Sequence, residues 1–73
     1  MSAANPIFRV SYVFIDGNNI ARSEERVDYV QAASNDEPTI KTVLTNNGRT
    51  HGTHTIQIRS VSNAGGTQSN VLA

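Results

Sequence analysis

The sequence predicts a small α+β domain with the element order ββαβ(β), in which one helix packs on one face of an antiparallel or mixed sheet. Three runs of β-branched and aromatic residues read as strands, and one segment between the second and third runs has helical spacing of its apolar residues. With 73 residues the chain has room for one domain. An all-β, sandwich-like piece is the main alternative, but the end signals of the helix and the short length favour α+β.

The chain divides into three parts. Residues 1–6 are predicted to form a flexible N-terminal arm, and residues 7–66 form the single α+β domain. Residues 67–73 form either a C-terminal edge strand or a loose tail, because their apolar content is small.

The first strand covers residues 7–15 and contains both phenylalanines of the chain. Its two-residue period puts four large side chains on one face, which we expect to be the core face: Phe8, Val10, Tyr12 and Phe14. The dipeptide Asp16-Gly17 follows directly and predicts an antiparallel hairpin, since both residue types tolerate positive φ.

The second arm of the hairpin, residues 20–32, starts with a charged stretch from Arg22 to Arg26 and becomes strand-like only from Val27. The charged stretch is interpreted as a solvated strand face or a bulged edge, where charge discourages unwanted strand pairing. In the strand-like part either face could be buried. Val30 and Ala32 share one of these faces and would form a second apolar patch.

Residues 33–48 are predicted to contain a helix of about three turns. Ser34 and Glu37 have the spacing of a capping box, and Gly48 can take the left-handed conformation at the C-terminal cap. One narrow apolar stripe must lie on the sheet: Ile40, Val43 and Leu44. Several β-branched residues make this a weak helix in isolation, so tertiary packing has to hold it.

The third strand is predicted over residues 54–61 with regular alternation. One face carries His54, Ile56, Ile58 and Ser60, and the other carries Thr55, Gln57, Arg59 and Val61. Such alternation is typical of a sheet that is packed on one side and solvated on the other.

The sequence predicts no catalytic, cofactor-binding or metal site, and therefore a protein that is not an enzyme. His51 and His54 lie at a loop-to-strand junction, where their rings are expected to diverge, and no neighbouring carboxylate completes a metal-ligand set. The acidic cluster Glu24, Glu25 and Asp28 lies among arginines, which indicates solvated ion pairs. The chain has no Cys and no Gly-x-Ser-x-Gly elbow.

The composition favours a role in protein–protein contacts. Charged residues make up only 16% of the chain and Ser, Thr and Asn are abundant, which suits an interface because interface centres are poor in charge. One helix cannot cover both faces of the sheet, and apolar residues assigned to the opposite face form the candidate interface: Val13, Ile15, Val30 and Val61. The sequence thus predicts a structural or assembly subunit that uses this face or a free strand edge to form a homo-oligomer, to add a strand to a partner's sheet or to dock on a larger assembly such as a virion.

Two other classes of function remain. A small nucleic-acid-associated regulator would need a basic face from Arg9, Arg49 and Arg59, although the formal net charge of zero makes nucleic acid an unfavoured partner. A small enzyme would need its site completed by another chain. The amino end has no signal-peptide pattern and no apolar run has bilayer length, so a cytoplasmic or virion-associated, non-membrane protein is expected.

Overall fold

The computed structural model describes residues 5–65 and 70–73 of the chain. It contains strand β1 (Ile7–Ile15), strand β2 (Arg26–Gln31), helix α1 (Glu37–Asn46) and strand β3 (Thr55–Asn63). The strands form one sheet in the order β2-β1-β3, and both outer strands are antiparallel to β1. The predicted small α+β domain with a ββαβ order is confirmed.

The core lies between α1 and one face of the sheet. As predicted, Phe8, Val10, Tyr12 and Phe14 are all buried on that face, and Val10 and Tyr12 are fully enclosed. Strand β1 is flanked by strands on both sides, and its residues from Val10 to Ile15 are all buried. This single strand therefore contributes the largest aromatic area to the core.

The connection between β1 and β2 begins with a tight turn built around Asp16. The amide of Asn19 donates to the Asp16 carbonyl at 3.1 Å, and the Asp16 carboxylate accepts from the amides of Asn18 and Ile20 at 2.8 and 3.1 Å. Asn19, with φ 61°, takes the left-handed conformation, whereas Gly17 does not. The antiparallel hairpin is as predicted, but Asn19 rather than the Asp-Gly pair supplies the positive φ.

Past the turn the chain stays beside β1 in an irregular register. Ala21 bridges Ile15, and the amide of Arg22 donates to the Phe14 carbonyl at 2.8 Å. The Ser23 hydroxyl then accepts from the Phe14 amide at 3.1 Å, so a side chain takes a place in the ladder. Glu24 and Glu25, which follow, are exposed, as a solvated strand face or a bulged edge requires.

Helix α1 begins later than the capping-box spacing predicts. Its N-cap is Asp36, in an extended conformation and without a side-chain cap hydrogen bond, and the first helical amide is that of Ile40, bonded to the Asp36 carbonyl at 3.0 Å. A cap at Ser34 would put Pro38 at the fourth helical position, where the first intrahelical amide proton is needed. Proline has none, so the helix starts where Pro38 falls within its first turn.

The C-terminal end of α1 matches the prediction. Gly48 has φ 78°, its amide donates to the Thr45 carbonyl at 3.1 Å, and the Arg49 amide donates to the Leu44 carbonyl at 2.9 Å. These two bonds form a Schellman motif, which satisfies the last carbonyls of the helix. The motif also fixes the direction in which the chain leaves, and therefore the position of Arg49.

The predicted apolar stripe of α1 is the part that contacts the sheet. Ile40 and Leu44 are fully buried in the core, and Val43 packs against the core from a half-buried position. The helix joins β2 to β3, which run parallel to each other on opposite sides of β1. It thus crosses over β1 and covers the core on one face of the sheet.

Strand β3 departs from regular alternation at Arg59. In the pairing with β1, Ser60 faces Ser11 but Ile58 faces Tyr12, so β3 carries one extra residue at this point. The resulting β-bulge brings Val61 opposite Val10, on the core side, together with Ile56 and Ile58. The predicted assignment of Val61 to the face opposite Ile56 is wrong for this reason.

Residues near both ends of the described chain contact β2. The Leu72 amide donates to the Tyr29 carbonyl at 2.8 Å and the Leu72 carbonyl accepts from the Gln31 amide at 2.7 Å, which gives a one-residue parallel bridge with Val30. The Gln31 side chain donates to the Asn5 carbonyl at 3.0 Å. Of the predicted arm and tail, residues 1–4 and 67–69 lie outside the described residues.

Truncation of Leu44 to alanine should destabilise the fold strongly. The side chain is fully buried between α1 and the sheet, so its removal leaves a cavity. This should lower the free energy of unfolding by about 2–5 kcal/mol. Urea unfolding measures this loss. Thr42→Ala, on the exposed side of the same helix, is the matched control and should change it by less than about 0.5 kcal/mol. Equal effects of the two variants would contradict the packing described here.

Replacement of Asp16 by asparagine should reduce the acid sensitivity of the fold. Hydrogen bonds from the Ile20 amide, from Arg22 and from the Asn18 amide lower the pKa of Asp16. Such a carboxylate stabilises the folded chain above its unfolded pKa of about 4, and this contribution is lost as the pH falls through the folded pKa. Thermal melts should therefore show that Tm falls further below about pH 4 in the parent chain than in Asp16→Asn. An equal fall in both chains would show that the turn does not carry this effect.

Candidate functional site

The four residues of the candidate interface lie on two different faces of the sheet. Val13 and Ile15 are on the face opposite α1, whereas Val30 is fully buried in the core and Val61 packs against the core. Val30 lies directly across from Phe8 and so shares its face, and the bulge at Arg59 redirects Val61. The expectation that all four share one surface is wrong, while the interface role of Val13 and Ile15 stays a prediction.

The face opposite α1, which we call the open face, is mixed in character. Val13 and Ile15 are only 5% and 8% exposed within it, and Val27, opposite Ser11, is 42% exposed. Arg9 faces Tyr29 across the β1–β2 pair. The register assigns these side chains to the open face: Arg9, Ser11, Val13, Ile15, Val27, Tyr29 and Gln57.

The two edges of the sheet differ. The edge at β2 is partly closed by Leu72, whose backbone bonds to Tyr29 and Gln31. In contrast, β3 has no strand partner on its outer side within residues 5–65 and 70–73. This outer edge is nine residues long, and Arg59 at the bulge is its one charged residue. An edge of this kind presents backbone donors and acceptors to which another strand can pair.

A polar cluster, formed by Tyr12, Asp28 and Arg49, occupies one end of the core. The Tyr12 hydroxyl donates to Asp28 Oδ2, and Arg49 Nε donates to the same oxygen at 3.2 Å. The side chains of Arg49 and Asp28 are 35% and 19% exposed, so this ion pair is partly shielded from water. Three separate elements, β1, β2 and the end of α1, meet through this one carboxylate oxygen.

The prediction that Asp28 belongs to a solvated group with Arg22 and Arg26 is wrong. Arg22 pairs instead with Asp16, with Nε 2.7 Å from Oδ2, and Asp28 lies on the core face opposite Val10. The polar cluster is missed by sequence reasoning because its acid and its arginine are 21 residues apart. The one related signal in the sequence is Gly48, because its Schellman motif fixes the position of Arg49.

Burial raises the pKa of Tyr12 to about 12, and the hydrogen bond to Asp28 and the negative charge of Asp28 act in the same direction. The positive charges of Arg26 and Arg49 offset part of this effect. Ionisation of Tyr12 would put a phenolate against a carboxylate in a shielded position. The phenol is therefore held as a hydrogen-bond donor, which is a structural task.

The two histidines stack rather than diverge. Their ring centroids are 5.0 Å apart with an interplanar angle of 14°, and His51 also stacks on Phe14 at 5.5 Å and 26°. Gly52, with φ 55°, and the hydrogen bond from the His54 amide to the His51 carbonyl at 3.0 Å fold the loop back on itself. The predicted divergence of the rings is wrong, because the sequence pattern does not contain this turn.

A cavity of about 290 Å³ opens beside the histidine stack. It lies between α1, the loop that follows it and the start of β3, and Phe14 and Ile56 form its apolar wall. Lys41, Arg49 and His54 also line it. Among the described residues, no aspartate or glutamate lines it.

The three arginines of the predicted basic face are not grouped. Arg9 is exposed on the open face, Arg49 is held by Asp28 on the helix side of the sheet, and Arg59 occupies the bulge of the edge strand. A nucleic-acid backbone that lay on one face of the sheet would contact these arginines individually and not as a group. The arrangement gives little support to the nucleic-acid alternative.

No protein-family model, curated protein or solved structure matches this chain. Among the described residues, α1 is the one helix, and its ten residues are too few to cross a bilayer.

Replacement of Tyr12 by phenylalanine should change both stability and its pH dependence. The variant leaves Asp28 without one donor, at an expected cost of about 1–2 kcal/mol in the free energy of unfolding at neutral pH. A tyrosine with a raised pKa stabilises the fold below its unfolded pKa of about 10, and this contribution is lost as the pH rises through about 12.

Urea unfolding across that alkaline range checks the second effect. The parent chain should lose more stability than Tyr12→Phe, and the control Tyr29→Phe, which removes the other phenol from the open face, should behave like the parent. The assignment fails if Tyr12→Phe and the parent lose equal stability.

Proposed function

We propose that this protein is a non-enzymatic assembly subunit that associates with copies of itself by pairing the outer edges of two β3 strands. The observation that carries the proposal is the outer edge of β3, nine residues long and without a strand partner in the described chain. Antiparallel pairing about a twofold axis would give one continuous sheet, in the order β2-β1-β3-β3-β1-β2. Within the paired segment, the outward-facing backbone groups would then exchange a water partner for a protein partner.

The contrast between the two edges supports this choice. The Leu72 bridge protects part of the β2 edge, and the nearby side chain of Gln31 is engaged by Asn5. On β3 the devices that normally block edges are limited to the bulge and the single charge of Arg59. Residues 55–58, on one side of the bulge, carry no charge at all.

A second copy is the occupant that fits this edge. Pairing identical uncharged segments brings no like charges together, and an axis within residues 55–58 keeps the two Arg59 side chains apart. Ile58, half-buried at this edge, would gain apolar cover from the partner strand. A chain of this length also gains stability from association, since its own core is small.

The larger role proposed with this pairing is that of a structural component of a particle or other large assembly, such as a virion. The open face, which carries Val13, Ile15 and the exposed Val27, would serve contacts beyond the dimer. The titratable groups that the fold brings together favour a structural role, because Tyr12, Asp28 and Arg49 satisfy one another. A cytoplasmic or particle-bound location belongs to the same proposal.

Sedimentation equilibrium over a range of concentrations tests the pairing. The parent chain should form a dimer, and Gln57→Lys should weaken it roughly threefold to tenfold, since two lysines then approach across the axis. Gln57→Glu alone should weaken it similarly, and an equimolar mixture of the two variants should recover the dimer. The matched control is Gln31→Lys, the same change on the β2 edge, which should leave association unchanged.

Two outcomes would contradict the proposal. A parent chain that stays monomeric up to about 1 mM would remove self-association as the function. A dimer weakened equally by Gln31→Lys and Gln57→Lys would put the contact elsewhere. Salt-dependent binding of a labelled single-stranded oligonucleotide would favour the regulatory alternative.

A further inference from the structure

We infer that the cavity beside the histidine stack is a binding site for a small organic anion, a compound with one carboxylate or phosphate group attached to an apolar ring. The inference goes beyond the pairing proposed for β3: the cavity includes Thr55 and Ile56 at the start of that strand but not Gln57. The cavity volume of about 290 Å³ is close to the lower end of the range for small-molecule sites. Its position between α1, the loop and the sheet gives it walls from three elements.

The charge of the lining selects an anion. Lys41 and Arg49 line the cavity together with the imidazole of His54, and no carboxylate of the described chain does. Thr45 and Thr50 also line the cavity, and threonine hydroxyls are neutral donors. An anionic oxygen entering the cavity would thus meet donors without a competing negative charge.

Both cations have existing partners, and neither partner blocks the cavity. Lys41 Nζ lies 2.8 Å from Glu37 Oε1 in a solvent-exposed pair along the helix, which a ligand can displace at small cost. Arg49 donates to Asp28 at 3.2 Å and to the Asn47 carbonyl at 3.4 Å, which uses two of the five N–H groups of a guanidinium. The pair with Asp28 also holds the arginine in place for a ligand.

The apolar wall selects the other half of the ligand. Phe14, Ile56 and His54 line the cavity, and the His54 ring stacks on His51 beside it. A planar ring can lie against such a surface while its anionic group points to Lys41 and Arg49. The site therefore favours phenyl phosphate or benzoate over inorganic phosphate or a neutral ring.

Titration of the full chain with four probes, followed by backbone NMR shifts, tests the inference. The probes are phenyl phosphate, benzoate, inorganic phosphate and benzyl alcohol. We expect saturable shifts at residues 41, 45 and 49–54 for the first two, with Kd of about 1 mM or lower, and binding at least roughly fivefold weaker for the last two. Whichever of the two aromatic anions binds more tightly identifies the anionic group.

Four variants make the test specific. Lys41→Gln should weaken binding of the tighter probe by about fivefold, and Glu37→Gln, which releases Lys41 from its ion pair, should maintain or strengthen it. Arg9→Gln, an equal loss of charge on the open face, should leave it unchanged. Binding in Gln57→Lys should match the parent, because Gln57 does not line the cavity, so loss of the dimer and loss of ligand binding are distinguishable.

The inference is overturned by shifts spread over the whole surface, by the absence of saturation at about 10 mM, or by an equal effect of Arg9→Gln and Lys41→Gln. Equal binding of benzyl alcohol and benzoate would also overturn it, since the cavity would then select only the apolar ring.

Discussion

Strand β1 lies between the other two strands, and its alternation decides which side chains of the whole sheet are buried. Phe8 opposite Val30 and Phe14 opposite Ile56 place residues of β2 and β3 on the helix side. Both outer strands depend on β1 for their backbone partners, and α1 depends on its large side chains for a surface on which to pack. The short helix, with an apolar stripe and unfavourable β-branched residues, could not persist without this surface.

The polar cluster shows how a small core accommodates a buried phenol. The hydroxyl of Tyr12 needs an acceptor, the carboxylate of Asp28 needs a cation once it is shielded, and Arg49 meets that need from the end of α1. Burial of any one of these groups without its partners would cost free energy. Together the three groups link β1, β2 and the end of α1. Because the Schellman motif aims Arg49, Gly48 contributes to this cluster without touching it.

Local patterns predicted the elements, whereas long-range pairing decided the details of the candidate sites. The two-residue period identified β1 and its core face, and the spacing of Ile40, Val43 and Leu44 identified the helix stripe. In β2 both faces carry apolar residues, so only the register with β1 shows that Val30 is inside and Val27 outside. The contact between Asp28 and Arg49 arises from tertiary packing, which no local pattern contains.

The bulge at Arg59 means that β3 obeys two opposite patterning rules along its length. Up to Ile58 the even-numbered positions belong to the core, and from Ser60 onward the odd-numbered ones do, as Val61 shows. Substitutions on the two sides of Arg59 must therefore be interpreted in opposite phase. Loss of this single residue would remove the bulge and restore uniform phase with Val61 still opposite Val10, whereas pairing of the intact strand without a bulge would turn Val61 outward.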